Sequence, residues 1–319
     1  MERRSFLKKT GTVAAVSSLA PSAFIMGQNK MMGKRKFKMC LNPGAIGVSA
    51  NQSDLLDMAI KYDFEAIVGM PSDLAAMSEK ARSVYLDKMK ANNISFGIAG
   101  LPMQFRESEQ RFHDDLAKLP ALAEACQRFG VKGMGTWIMP THKNLSYREN
   151  FKQHASRLKE TANIIGHYGI SLGLEYVGPK TLMARDRFAF IRTMTETKEL
   201  IEAIGEDNVG IQLDSFHWYC AGETVADLLS LDKGDVITVD LNDARSGFSA
   251  DDQIDGKREL PAATGVVDVK AFLEALVQMG YDGPVRAEPF NQPLRDMEDD
   301  AALKTTHAAM SKAFGMIGG

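Results

Sequence analysis

Four acidic residues stand where apolar runs end. Glu175 closes Ser171-Leu172-Gly173-Leu174-Glu175, Asp214 closes Val209-Gly210-Ile211-Gln212-Leu213-Asp214, Asp240 closes Val236-Ile237-Thr238-Val239-Asp240, and Glu288 closes Pro284-Val285-Arg286-Ala287-Glu288. Short runs of this composition read as buried strands. Carboxylates gathered at one end of neighbouring strands repel one another and are costly to desolvate, unless a divalent cation neutralises them or some take up protons. A hard, oxygen-ligated ion is the simplest solution, Mn²⁺ or Mg²⁺ before Co²⁺ or Zn²⁺. Any one of the acids alone reads equally well as an ion-pair partner or a helix cap, and Asp214-Ser215 suits an N-cap. The coincidence of four favours a metal. Aromatics near the run ends (Phe105, Trp137, Tyr176, Phe216, Trp218 and Phe290) can wall a bound ligand or simply fill the core. His113, His142, His154, His167 and His307 fall away from the acids and read as surface or capping residues.

These acids need a scaffold that brings strand ends together. Strand-like runs recur at 37–41, 65–68, 94–99, 132–137, 171–175, 209–213, 236–240 and 284–288, separated by longer segments of helical period. In the helix expected over 147–168, Phe151, Ala155, Leu158, Ala162 and Ile165 recur at spacings of three and four, and Gly169 suits its C-terminal stop. Gly130, Gly205 and Gly280 punctuate other segments in the same way. Eight strand-helix units predict a single-domain (β/α)₈ TIM barrel over 37–319, with its active site at the C-terminal ends of the strands. A doubly wound open sheet would want a Gly-rich phosphate turn after its first strand, and Asn42-Pro43-Gly44-Ala45-Ile46-Gly47 is not that motif.

Composition narrows the function classes. The 319 residues are 45% hydrophobic and 25% charged, with 38 Lys and Arg against 41 Asp and Glu. This is a globular composition, and its slight acidity provides no positive field for nucleic acid or anionic lipid. Three widely spaced Cys without a CxxC indicate neither a disulfide framework nor a thiolate zinc cluster. The N-terminus, Arg3-Arg4-Ser5-Phe6-Leu7-Lys8, followed by an uncharged stretch over 11–26, looks like a twin-arginine export signal over 1–29, with a basic linker over 30–36. It implies a bacterial periplasmic protein exported already folded, with no stable membrane span once the signal is removed. Folded export also suits a cofactor or metal loaded beforehand.

With these residues in view, the chain resembles the xylose isomerase-like TIM barrel superfamily of sugar isomerases, sugar epimerases and endonuclease-IV-like proteins, over nearly all of its length after the signal. The most specific segments are Gly173-Leu174-Glu175-Tyr176, Leu213-Asp214-Ser215-Phe216-His217, Asp240-Leu241-Asn242-Asp243-Ala244-Arg245 and Arg286-Ala287-Glu288-Pro289-Phe290. The resemblance implies that Glu175, Asp214 and Glu288 hold a metal, and that His217 and Arg245 contact substrate. The family's His-x-x-Asp at the seventh strand end stands here as Asp240-Leu241-Asn242-Asp243. Either Asp240 ligates, making an all-carboxylate site, or the metal or the reaction has changed; retention is favoured. The endonuclease branch needs further histidines after the seventh strand, where this chain has Asp251-Asp252-Gln253-Ile254-Asp255.

The chemistry implied is that of a metal-dependent isomerase or epimerase on a small carbohydrate. A cation stabilises the enediolate formed when the carbon beside a sugar carbonyl loses its proton, and Glu175 and Glu288 remove and return that proton. Trp137 is one candidate for the wall against the sugar. The same proton abstraction on a 3-keto-glycoside would expel the aglycone, so a lyase or hydratase is the alternative. A barrel that only binds carbohydrate is the second, although pure binding needs no pair of glutamates. No phosphate loop and no cluster of Lys or Arg is evident at the strand ends, which argues against phosphorylated substrates. A homo-oligomer is compatible with the sequence.

Overall fold

A computed structural model describes residues 34–318; the expected export signal and the first part of the linker lie outside the described residues. Eight parallel strands close into a barrel: β1 (Lys38–Leu41), β2 (Ala66–Gly69), β3 (Ser95–Gly100), β4 (Gly133–Ile138), β5 (Ser171–Tyr176), β6 (Val209–Asp214), β7 (Val236–Leu241) and β8 (Pro284–Ala287), with β8 pairing back onto β1. Each falls within about a residue of its expected run, because strands buried on both faces are written as near-continuous apolar stretches. A two-stranded antiparallel ribbon, Thr141–His142 against Phe188–Ala189, stands beside the barrel.

The surrounding helices are specified locally. The helix Tyr147–Gly166 starts with a reciprocal capping box between Ser146 and Glu149, and Met194–Ile204 starts with another between Thr193 and Glu196. Left-handed Gly130, Gly205 and Gly280 end their helices as the sequence predicts, whereas the helix from Tyr147 stops at Gly166, and Gly169, at φ 68°, closes the turn beyond it. The end of the basic linker is part of the barrel domain. Both Arg35 terminal nitrogens hold the Glu65 carboxylate at 2.9 and 3.0 Å, and Glu65 also accepts from the Met39 amide, because a bidentate pair at the barrel floor outweighs the solvation of a charge run.

Register decides which side chains meet at the mouth. Trp137 on β4 lies beside Glu175 on β5, and Asp240 on β7 lies beside Arg286 on β8. Between β6 and β7 the register shifts at Ile211 and Gln212. Continued unshifted, it would bring Asp214 beside Val239; the irregularity brings it beside Asp240 instead. A slip of one residue exchanges the faces of a strand, so this irregularity places both acids on the interior side. The interior is narrow enough that glycine is required where long polar side chains cross it. A Cβ on Gly135 would collide with Gln212 Oε1 and lie 2.6 Å from Ile98 Cδ1. Gly135→Ala should therefore cost about 1–3 kcal/mol by overpacking; an unchanged denaturant midpoint would show that Gln212 has room to move aside.

Candidate active site

The four acids converge. Oxygens from Glu175, Asp214, Asp240 and Glu288 all lie within 4.8 Å of one another, and Glu175, Asp214 and His217 form a second such group among the described residues. Asp214 acts both as helix cap and as site residue. Its Oδ1 accepts from the Phe216 and His217 amides at 2.6 and 3.2 Å, capping the helix Ser215–Ala221. Its Oδ2 faces the other acids and accepts from Arg258 at 2.9 Å and Asn242 Nδ2 at 2.8 Å. Asn242 in turn accepts the Glu288 amide at 2.8 Å, tying the end of β7 to that of β8.

Two buried arginines stand among these carboxylates. Arg286 binds Asp240 through Nε at 2.5 Å and Nη2 at 3.1 Å, and Gln212 adds a third donor to Asp240 at 2.9 Å. Arg258, from the loop after β7, reaches Asp214, Glu288 at 3.2 Å and Asp255 at 2.8 Å. The sequence suggested no basic cluster at the strand ends; Arg286 is hidden inside a strand and Arg258 inside an irregular loop, and neither shows as a run. Both are consumed by carboxylates, so they do not create a phosphate site. Two guanidiniums set among these four carboxylates and Asp255 leave the group with an excess of negative charge, which a divalent cation would offset. Glu175 Oε1 is buried without a hydrogen-bond partner. An orphaned carboxylate oxygen facing three other acids is what an oxygen-ligating cation would satisfy, so the residues fit such a group.

His217 and Arg245 take other positions. His217 is fully buried, and its Nε2 lies 3.1 Å from Arg258 Nη2. Arginine can only donate, so Nε2 accepts and the ring proton resides on Nδ1. Burial, and then Arg258, push this imidazole down to about 3, which keeps it neutral. Arg245 lies outside the carboxylate group, its guanidinium 3.9 Å from the Phe248 ring centre and its Nη2 on the Asp252 carbonyl. Of the aromatics, Phe105, Tyr176 and Phe216 are core and Trp218 nearly so, while Trp137 is 40% exposed. Phe290 lies 4.5 Å from the Arg258 guanidinium and is held at φ 41°, a conformation costing an aromatic residue about 1–3 kcal/mol. His142 is a cap, taking the Asn144 and Leu145 amides on Nδ1. His154 is not a surface residue: it sits on the inward stripe of its helix between Phe105 and Phe190.

A cavity of about 330 Å³ opens on the site. Glu175, Glu288 and Arg286 line it together with Trp137, Arg106 and Gln104. Asp214 and Asp240 are fully buried beneath them. Sequence reasoning missed Arg258, Arg286, Gln212 and Arg106. Arg286 and Gln212 were detectable two positions before Glu288 and Asp214, on the same strand faces.

A parallel α/β barrel with a buried acidic group where its strands end defines the class of protein. The chain belongs to the xylose isomerase-like TIM barrel family, whose family model matches residues 56–312. An inosose isomerase of Bacillus velezensis is 24% identical over 294 residues, spanning 87% of this chain and 98% of its own. A xylose isomerase domain protein from Alicyclobacillus acidocaldarius has the same fold with a TM-score of 0.77 at 30% identity, covering 89% of this chain and all of its own. An IolI protein crystallised with a bound zinc atom gives 0.71 at 22%, covering 88% and 98%. Among the described residues, no helix is long and apolar enough to cross a membrane.

The charge excess has a pH consequence. Burial and the neighbouring acids raise Glu175 well above the usual carboxylate range; burial, opposed by Arg258, takes Asp214 up to about 7; burial and Asp240 take Glu288 up to about 8. Groups with raised pKa bind more protons folded than unfolded, so stability falls as pH rises from the unfolded values near 4 through the folded ones. The metal-free protein should therefore melt at lower temperature at pH 8 than at pH 5. Divalent cation should restore the loss at pH 8 and do little at pH 5. Melting curves with chelator and with Mn²⁺ check this, and a metal-free protein equally stable at both pH values would contradict it.

Proposed function

We propose that this protein is an isomerase or epimerase that moves a proton beside the carbonyl of an open or keto sugar. The observation that carries this reading is that Glu175 and Glu288 line one cavity together while the other two acids lie buried beneath them. Glu175, Asp214 and Glu288, with Asp240 as fourth oxygen donor, would hold a divalent cation. Mn²⁺ or Mg²⁺ suits an all-oxygen set, and the cation supplies electrophilic stabilisation of charge growing on the substrate carbonyl. One glutamate takes the proton and the other returns it, to the opposite face or to the neighbouring carbon. In the metal-free site, burial raises the proton affinity of both, that of Glu288 to about 8. Arg286, paired with Asp240, lines the same cavity, and His217 acts indirectly by holding Arg258. The relatives named inosose isomerase support the reading.

A second reading has its own support in an adjoining cavity that shares Gln104, Arg106 and Trp137 with the first. On a 3-keto-glycoside the same base would take the proton from C2. The C1–O bond would then break, and the departing oxygen would take a proton, leaving an unsaturated keto-sugar and an alcohol.

Isomerisation or epimerisation puts solvent hydrogen into the sugar, whereas the elimination releases the alcohol instead. Glu175→Gln and Glu288→Gln should each lower turnover by about 10²- to 10⁴-fold with the fold intact, read as deuterium uptake by a ketose panel in D₂O. Full exchange in either variant rejects the acid-base assignment. The twin-arginine segment supports export of the folded protein to the periplasm. Replacing Arg3 and Arg4 together by Lys should strand the precursor in the cytoplasm, and unimpaired recovery from the periplasmic fraction would reject that route.

A further inference from the structure

The second cavity, of about 450 Å³, lies between the site and the antiparallel ribbon. Two of its lining residues, Asn150 and His154, are 1% and 2% exposed and sit one turn apart on the helix Tyr147–Gly166. Asn150 Oδ1 and His154 Nε2 are both buried without hydrogen-bond partners. His154 Nδ1 lies 2.9 Å from the Asn150 carbonyl, which can only accept, so the ring proton is on Nδ1 and Nε2 carries a bare lone pair. Two unsatisfied buried acceptors side by side call for a ligand with hydrogens to donate. A carboxylate or phosphate has none to give these two atoms, and the charged side chains around the cavity, Arg106, Lys143 and Arg185 against Glu107 and Asp186, nearly balance. Sugar hydroxyls do, and the half-exposed indole of Trp137 at the junction provides an apolar face of the kind sugars stack on. Arg106 lies over that indole at 4.0 Å and bonds the Trp137 carbonyl, so the partition between the two cavities is rigid and polar rather than a closed wall.

We propose that this second cavity binds a neutral, hydroxyl-bearing ring joined to the sugar that reacts at Glu175 and Glu288, so that the substrate class is a disaccharide-sized glycoside rather than a free monosaccharide. The inference rests on the reading of the acid site as a sugar-binding catalytic centre. Asn150 and His154 accept hydroxyl hydrogens from the distal ring, Trp137 spans the linkage, and the reacting ring occupies the smaller cavity beside the two glutamates.

The test compares glucose, methyl glucoside, maltose, cellobiose, sucrose and trehalose by calorimetric titration of the full-length protein. At least one disaccharide should bind about tenfold tighter than glucose or methyl glucoside. His154→Phe keeps the aromatic packing but removes the acceptor, and Met139→Trp fills the cavity from its rim without touching the glutamates. Each should weaken the preferred disaccharide about tenfold, the effect of losing a hydrogen bond to a buried acceptor. Each should also leave ketose deuterium uptake at its original rate. Disaccharides binding no tighter than monosaccharides, or binding unchanged in a folded Met139→Trp protein, overturn the subsite while leaving the catalytic reading intact. Absence of carbohydrate binding together with absence of deuterium uptake overturns the catalytic reading itself.

Discussion

The mouth of this barrel depends on two guanidiniums set among a cluster of carboxylates that is largely withdrawn from water. Arg286 lies across from Asp240 by strand register, and Arg258 reaches in from a loop to join Asp214 and Glu288. Without them, four acids so close together could coexist only by taking up protons. With them, part of the repulsion is cancelled by fixed charge, and the remainder is left for a divalent ion or for protons to meet. The rest of the site follows from where those two arginines stand. They cover Asp214 and Asp240 and leave Glu175 and Glu288 facing the cavity.

That division separates structural from chemical duty among identical functional groups. Asp214 is held by two helix amides as well as by Arg258, and Asp240 receives three donors. Neither can swing without breaking several bonds. Glu175 keeps an oxygen with no partner, and Glu288 bonds Arg258 through Oε2 at 3.2 Å. The two acids that a substrate can touch are thus the ones held by the fewest bonds.

Much of this was legible in the sequence. The strands could be read because each is a short apolar run bounded by turns, and the four acids stood out because they interrupt such runs at their ends. Residues that answer those acids were harder to see. Arg286 and Gln212 share strand faces with Glu288 and Asp214 through simple alternation, a signal present but overlooked. Arg258 lies in a loop with no period, where only the folded chain reveals what it faces. His154 falls three after Phe151 and four before Leu158, on the helix's apolar stripe, so its burial was written in the same spacing that predicted the helix. Arg35 was masked by its basic neighbours, since a charge run gives no hint of which member finds a carboxylate.

The Asp240 and Arg286 pair constrains how this barrel can change. A buried acid is accommodated at position 240 because a cation stands opposite it in register. Either partner alone would leave a buried charge uncompensated, at a cost of about 3–5 kcal/mol, a large part of a domain's whole stability. The two positions therefore form an epistatic unit. The charge at position 240 can be changed only together with that at position 286, so the pair can be rebuilt as a unit but not one residue at a time.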